Sequence, residues 1–288
     1  MKKRIVSRYR GFTLIELVVV IVVVGILSAL GGLIITNHMQ GYVDMSNRAQ
    51  LVDSAESALR RMERDIQAAL PNSIVVGTDG DKVTFLHTAA GGRYRTKCPA
   101  LASDCSHNQT LQFNQTDSKF SMIGRLRENS EVLSSGGAND KVVIYNTGQP
   151  PADAYNSTYN NTADILDVGY DGDVGVAPSS NFTISEKRFP YRSPYKRFQI
   201  VDTQVCYSLK DDKLWRYHNS TSITDPDKAN GCKDWGSGSL IARHVEEVNF
   251  EYDSGAATRS ALLTMNATLS KEGETITLLH QVHVLNYP

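Results

Sequence analysis

The chain has 288 residues, 41% hydrophobic and 21% charged, a balance that suits a folded globular protein and excludes wholesale disorder. Its formal net charge of −1 supplies no field that would gather a nucleic acid, so no nucleic-acid partner is expected. The neutrality hides an asymmetry: Lys2, Lys3, Arg4, Arg8 and Arg10 crowd the first ten residues without an acid, and removing residues 1–11 takes the remainder from −1 to −6.

Residues 12–35 follow as FTLIELVVVIVVVGILSALGGLII, with Glu16 as the single charge. A helix of this length spans roughly 36 Å at 1.5 Å per residue, against a bilayer core about 30 Å thick. The run is too long for the apolar core of a secretory signal and lacks a clear small-residue cleavage site at its end. The basic cluster before it predicts a cytoplasmic N-terminus. Everything after residue 36 is then expected across the membrane, in an oxidising compartment.

Two features are unusual for a plain anchor. Glu16 lies inside the apolar run, where an unpaired carboxylate is costly; snorkelling from one turn below the interface is the simpler account of it. The junction reads Arg10-Gly11-Phe12-Thr13-Leu14-Ile15-Glu16-Leu17. A basic leader, a glycine, Phe-Thr-Leu-Ile-Glu-Leu and a long apolar helix closely resemble the signal of type IV prepilins and type II secretion pseudopilins. The resemblance implies cleavage by a prepilin peptidase between Gly11 and Phe12, where the absent glycine side chain lets a protease approach the backbone. It implies N-methylation of the new Phe12 amine. It also implies that Glu16 is an assembly residue, meeting the Phe12 amine of a neighbouring subunit, so that two charges costly in lipid relieve each other.

The helical period continues past residue 35. Tyr42, Met45, Ala49, Val52, Ala55, Leu59, Met62, Ile66 and Ala69 recur at steps of three and four, one apolar stripe of an amphipathic helix. The other face carries Glu56 with Arg60 and Arg61 with Asp65 at i,i+4 spacing. Pro71-Asn72-Ser73 ends the pattern. The expected helix thus covers residues 12–70 and would measure close to ~90 Å. Its half at 12–35 is left for lipid or for copies of itself, and its half at 36–70 is expected to dock on a following sheet.

From Ser73 onward, β-branched residues and alternation dominate. Strands are expected at 74–76, 82–87, 110–113, 141–146, 181–185, 198–202, 204–209, 213–217, 240–244, 247–252, 261–269 and 275–285. Lys210-Asp211-Asp212 and Lys271-Glu272-Gly273-Glu274 are expected to be hairpin turns. Residues 148–180, rich in Pro, Asn, Asp, Ser and Gly, are expected to be a long surface loop or insertion. The fold class that emerges is α+β, a long transmembrane-to-amphipathic helix packed on a β-rich globular head at 71–288, the architecture that the pilin resemblance also implies.

Four cysteines, Cys98, Cys105, Cys206 and Cys232, allow three pairings. Local spacing favours disulfides Cys98–Cys105 and Cys206–Cys232, and neither spacing suits a zinc site. Asp171 and Asp173 around Gly172, and Asp225, Asp227 and Asn230 before Gly231, faintly resemble calcium loops. They lack the spacing and the bidentate glutamate of such sites, so solvated turns are the expectation and no metal or cofactor is expected. His280 and His283 are three apart in an expected strand and point to opposite faces. No catalytic constellation stands out, and an enzyme is not expected. Exposed aromatics such as Trp215, Trp235, Tyr191 and Tyr195 suit either a ligand surface or core packing.

Later segments carry a second resemblance. Val205-Cys206-Tyr207-Ser208-Leu209, Lys213-Leu214-Trp215-Arg216-Tyr217 and Val245, Phe250 and Tyr252 resemble minor pilins of the PilW and type II secretion J-pseudopilin group. The helix end at residues 59–74 and the final residues 279–288 are similar to minor pilins of the mannose-sensitive haemagglutinin (MSHA) pilus. This resemblance implies a minor pilin that primes assembly or sits near a fibre tip, with a minor J-type pseudopilin as the alternative. The partners it implies are the prepilin peptidase, other major and minor pilins through the N-terminal helix, the inner-membrane assembly platform and the lipid bilayer before assembly. Deployment on a pilus at the cell surface follows from it, and a tip subunit of this kind could act as an adhesin through residues 148–180.

Overall fold

A computed structural model describes residues 11–97, 110–126, 139–156, 158, 160–171, 179–219, 223, 232, 235, 236, 238–254 and 260–286, with the side chains of 30–38, 170, 171 and 179 outside that description. An α-helix, α1 (Leu14–Gln67), comes first among the described elements. The strands follow as β1 (Val75–Val76), β2 (Lys82–Arg93), β3 (Asp117–Ser121), β4 (Lys141–Val143), β5 (Thr162–Asp171), β6 (Ser179–Lys187), β7 (Arg197–Lys210), β8 (Lys213–Asn219), β9 (Ser239–Arg243), β10 (Val245–Asp253), β11 (Ala261–Lys271) and β12 (Glu274–Val284). The chain divides into two compact units, Met1–Gln50 and Leu51–Pro288.

The first unit holds the apolar part of α1. Every side chain described from Leu14 to Leu27 is exposed there, including Ile21 and Leu27 at 63% each. Among the described residues no helix is long and apolar enough to cross a membrane. The apolar stretch described with its side chains ends at residue 29, inside the expected run 12–35.

In the second unit the end of α1 joins a core with both sheets. Leu51, Ala55, Leu59, Met62 and Ile66 are buried with Val83 and Phe85 of β2, Val205 and Tyr207 of β7, and Leu263 and Met265 of β11. The buried stripe therefore runs 51, 55, 58, 59, 62, 66. Of the expected stripe, Ala55, Leu59, Met62, Ile66 and Ala69 are buried, whereas Tyr42, Met45, Ala49 and Val52 are exposed. Leu51 and Ala58 join the buried side instead, on the same helical face that meets the sheets.

α1 stops at Gln67 because Pro71 cannot continue a helix and disfavours helical geometry at the residue before it. The exit is clamped. Asn72 turns with φ 58°, its amide Nδ2 donates to Asn146 O at 2.8 Å, and Asn146 Nδ2 donates to Pro71 O at 2.8 Å. Ser73 Oγ donates to Leu70 O at 2.7 Å and accepts from the Leu86 N–H at 3.2 Å.

The larger sheet has nine strands and forks at β7. One edge of β7 pairs with β2 along its length. On the other edge Gln199–Val201 pairs with β4, and Gln204–Lys210 pairs with β8. The β4 branch continues through β5 and β6 to β3, enclosing a second core with Phe120, Phe182 and Phe198 in mutual ring contact. A separate three-stranded sheet runs β10-β11-β12, all antiparallel. Asp211 and Asp212 (φ 52° and 54°) turn β7 into β8, and Glu272 and Gly273 (φ 51° and 90°) turn β11 into β12, the two-residue hairpins with positive φ at both positions that match strand twist.

Several expectations are corrected. Residues 110–113 are not a strand. Residues 198–202 and 204–209 are one strand, β7, which bends through a register shift opposite Thr88 rather than ending at Asp202-Thr203. Residues 148–180 are not one loop, because β5 runs through them and pairs with β4 and β6. Its Gly169, Asp164, Asp167 and Asp171 hid it from a reading weighted on β-branched residues.

Candidate functional site

The motif residues lie where α1 begins. Gly11, Phe12 and Thr13 precede the helix and Leu14 is its first residue. Thr13 Oγ1 accepts the Glu16 N–H at 3.3 Å, and Thr13 O accepts the Leu17 N–H at 3.2 Å. Thr13 is thus the N-cap, satisfying one of the amide donors that a helix start leaves orphaned. The spacing Thr-x-x-Glu is that of a capping box, of whose reciprocal pair the described residues show the Thr13 half. Thr13 stood outside the expected site residues; Thr-x-x-Glu ahead of an apolar run is the signal that finds it.

Two consequences follow locally. The Gly11–Phe12 bond lies outside the helix, on exposed residues, with the Phe12 side chain 78% exposed. Glu16 sits in the first turn, also exposed, where a carboxylate complements the positive end of the helix dipole.

Residues 6–32 match the family model of the prokaryotic N-terminal methylation motif. The chain carries a prepilin-type cleavage and methylation signal. That match supports a type IV pilin-like protein, processed by a prepilin peptidase and assembling with other pilins. It leaves the β-rich head outside its span. No curated protein and no solved structure matches the chain.

The head of this pilin-like chain holds α1 through polar contacts as well as the core. Asp65 Oδ2 accepts the Tyr207 hydroxyl at 2.8 Å and Arg216 Nε at 2.6 Å. Burial first, then the Asp65 charge, pushes the Tyr207 phenol up. Burial opposes the Arg216 cation, but its hydrogen bond and charge contact with Asp65 outweigh that and raise it. Glu63 Oε2 meets His280 Nε2 at 3.0 Å. His280 faces α1 and His283 is exposed on the opposite side of β12.

Cys206 and Cys232 form a disulfide with Cα atoms 6.0 Å apart, beside Trp215, Tyr217 and Trp235. Cys98 and Cys105 lie outside the described residues, as do Gly172, Asp173, Asp225, Asp227, Asn230, Gly231 and the side chain of Asp171. Among the described residues no group of three or more His, Cys, Asp or Glu is placed to hold a metal ion.

A titratable pair lies apart from the motif. His87 Nδ1 contacts Asp202 Oδ1 at 2.8 Å, and this hydrogen bond raises the His87 imidazole above its ordinary value. Burial, with the Asp202 charge second, raises Asp140 from 3.8 to about 6. The crevice beside this pair, lined by Asp202, Gln204 and Asn219 among the described residues, is water-sized, about 10 Å³.

Proposed function

We propose that the chain is a minor type IV pilin of the MSHA kind, which primes assembly or sits near the fibre tip. A single observation supports the pilin-like part of this reading, a prepilin-type motif whose Gly11–Phe12 bond lies just ahead of the helix that Thr13 caps; the MSHA assignment rests on the resemblance of residues 59–74 and 279–288 alone. Cleavage after Gly11 leaves Phe12 as the new terminus, two residues before Leu14, and N-methylation falls on that amine. The retained helix anchors the subunit in the inner membrane before assembly. A run of β-branched residues such as 18–24 forms helix poorly in water, but in lipid the helix satisfies every backbone group internally. Glu16 pairs with the Phe12 amine of a neighbour as subunits enter the fibre, and the head faces the periplasm and then the cell surface.

The experiment is to shear surface fibres from cells and ask whether the mature chain is in that fraction. The reading expects the chain there in substoichiometric amount, and expects Glu16→Gln to be processed normally yet depleted from fibres. A chain absent from fibres but required for protein secretion would make it a J-type pseudopilin. A Glu16→Gln chain present at full level would remove the assembly role of that carboxylate.

A further inference from the structure

At the start of β7 the sheet places two like charges opposite each other. Arg93 of β2 and Arg197 of β7 are direct cross-strand partners, a pairing that is destabilising between like charges. The fold softens it with neutral groups only. The Arg197 guanidinium lies 5.3 Å from the centre of the Tyr195 ring, and Arg93 Nε donates to Tyr195 O at 3.2 Å. Among the described residues neither guanidinium has a carboxylate partner. The chain around them continues the theme: Arg188, Arg192 and Lys196 are exposed, and no acidic residue occurs between Glu186 and Asp202. This concentration belongs to a chain that is net negative once its leader is set aside.

The same face of the sheet continues from Arg197 to Gln199, whose cross-strand partner is Gly91. Gly91 is exposed and brings no side chain, so the arginine pair is bordered by open backbone. Tyr195, which contacts both arginines, is itself 60% exposed.

We propose that the Arg93–Arg197 face of the head binds an acidic polysaccharide, its carboxylates on the arginine forks and a sugar ring on the exposed Tyr195. Both cations of the cross-strand pair are arginine, whose planar fork matches a carboxylate with two parallel hydrogen bonds, as lysine does not. A nucleic-acid module carries a basic balance over its whole domain, opposite to the balance here. The binding goes beyond the assembly role and does not depend on it.

The test uses the full processed chain in detergent and immobilised polygalacturonate, with neutral dextran and a single-stranded oligonucleotide as competitors. Retention on polygalacturonate at low salt, resisted by neither competitor, is expected. Arg93→Ser with Arg197→Ser should weaken it about tenfold or more, and Tyr195→Ala should also weaken it while leaving the net charge unchanged. If the serine pair fails to fold, Arg93→Lys with Arg197→Lys decides: both charges remain and the forks are lost, and binding should fall about threefold or more. No retention of the wild-type chain, retention unchanged in the lysine pair, or tighter binding to the oligonucleotide would each overturn the proposal.

Discussion

Tyr207 donates its hydroxyl to Asp65 Oδ2 at 2.8 Å, joining β7 to the last turns of α1. Arg216 Nε of β8 reaches the same oxygen at 2.6 Å, so one carboxylate ties two strands to the helix. The side chains of Asp65 and Arg216 are only 21% and 18% exposed, which keeps solvent screening low. Tyr207→Phe removes one arm and should lower stability by about 1–3 kcal/mol. Asp65→Ala leaves the Arg216 cation without its partner and should cost more, about 3 kcal/mol or above. Denaturant midpoints of the two full-length variants in detergent check the order; equal midpoints for wild type and Asp65→Ala would refute it.

Stability should fall as pH rises from about 4 to above 7. Asp140 has its folded value raised to about 6 from 3.8. The native state therefore holds that proton more tightly than the unfolded chain, and stability declines as pH rises through this window. His87 is also raised, by its hydrogen bond to Asp202; its contribution is complete below its unfolded value of about 6.5 and is lost as pH rises through the folded one. Asp140→Asn should flatten the first part of the decline and Asp202→Asn both parts. Thermal midpoints across pH 4–8 give the answer, and a wild-type midpoint that rises with pH would be the opposite sign.

Thr13 caps α1 through its hydroxyl, so Thr13→Val, which keeps the shape and loses the acceptor, should weaken the helix start by about 1 kcal/mol. Thr13→Ser should retain it. Amide exchange at Glu16 in detergent micelles reads the effect: faster exchange in the valine variant alone is expected, and equal exchange in all three chains would show that the cap contributes nothing.

The disulfide between Cys206 and Cys232, 26 residues apart, should restrain the unfolded chain by about 3.5 kcal/mol on the loop-entropy account. Cys206→Ser with Cys232→Ser should lower the denaturant midpoint accordingly, with the fold retained because β7 keeps its pairing to both β2 and β8.

The parts of this molecule legible in the sequence are those set by local chemistry. The cleavage and methylation motif is an ordered string of residue types, and the hairpins at Asp211-Asp212 and Glu272-Gly273 follow from turn residues between alternating strands. Pro71 fixed the helix end to within a few residues. What escaped depends on tertiary context. Strand β5 carries Asp164, Asp167 and Gly169, poor strand formers that are held by pairing with β4 and β6. The buried side of α1 turned out to include Leu51 and Ala58 rather than Val52, because the sheets it meets, not the period alone, choose the face. The Asp65 contacts join residues 142 and 151 positions apart, a separation at which a single sequence carries no signal.

The measurement that bears most directly on the account is N-terminal mass spectrometry of the protein from cells with and without a prepilin peptidase. The account predicts a mature chain beginning with N-methylated Phe12, found only when the peptidase is present. An intact Met1 terminus in both strains, or cleavage beyond the apolar segment, would contradict it.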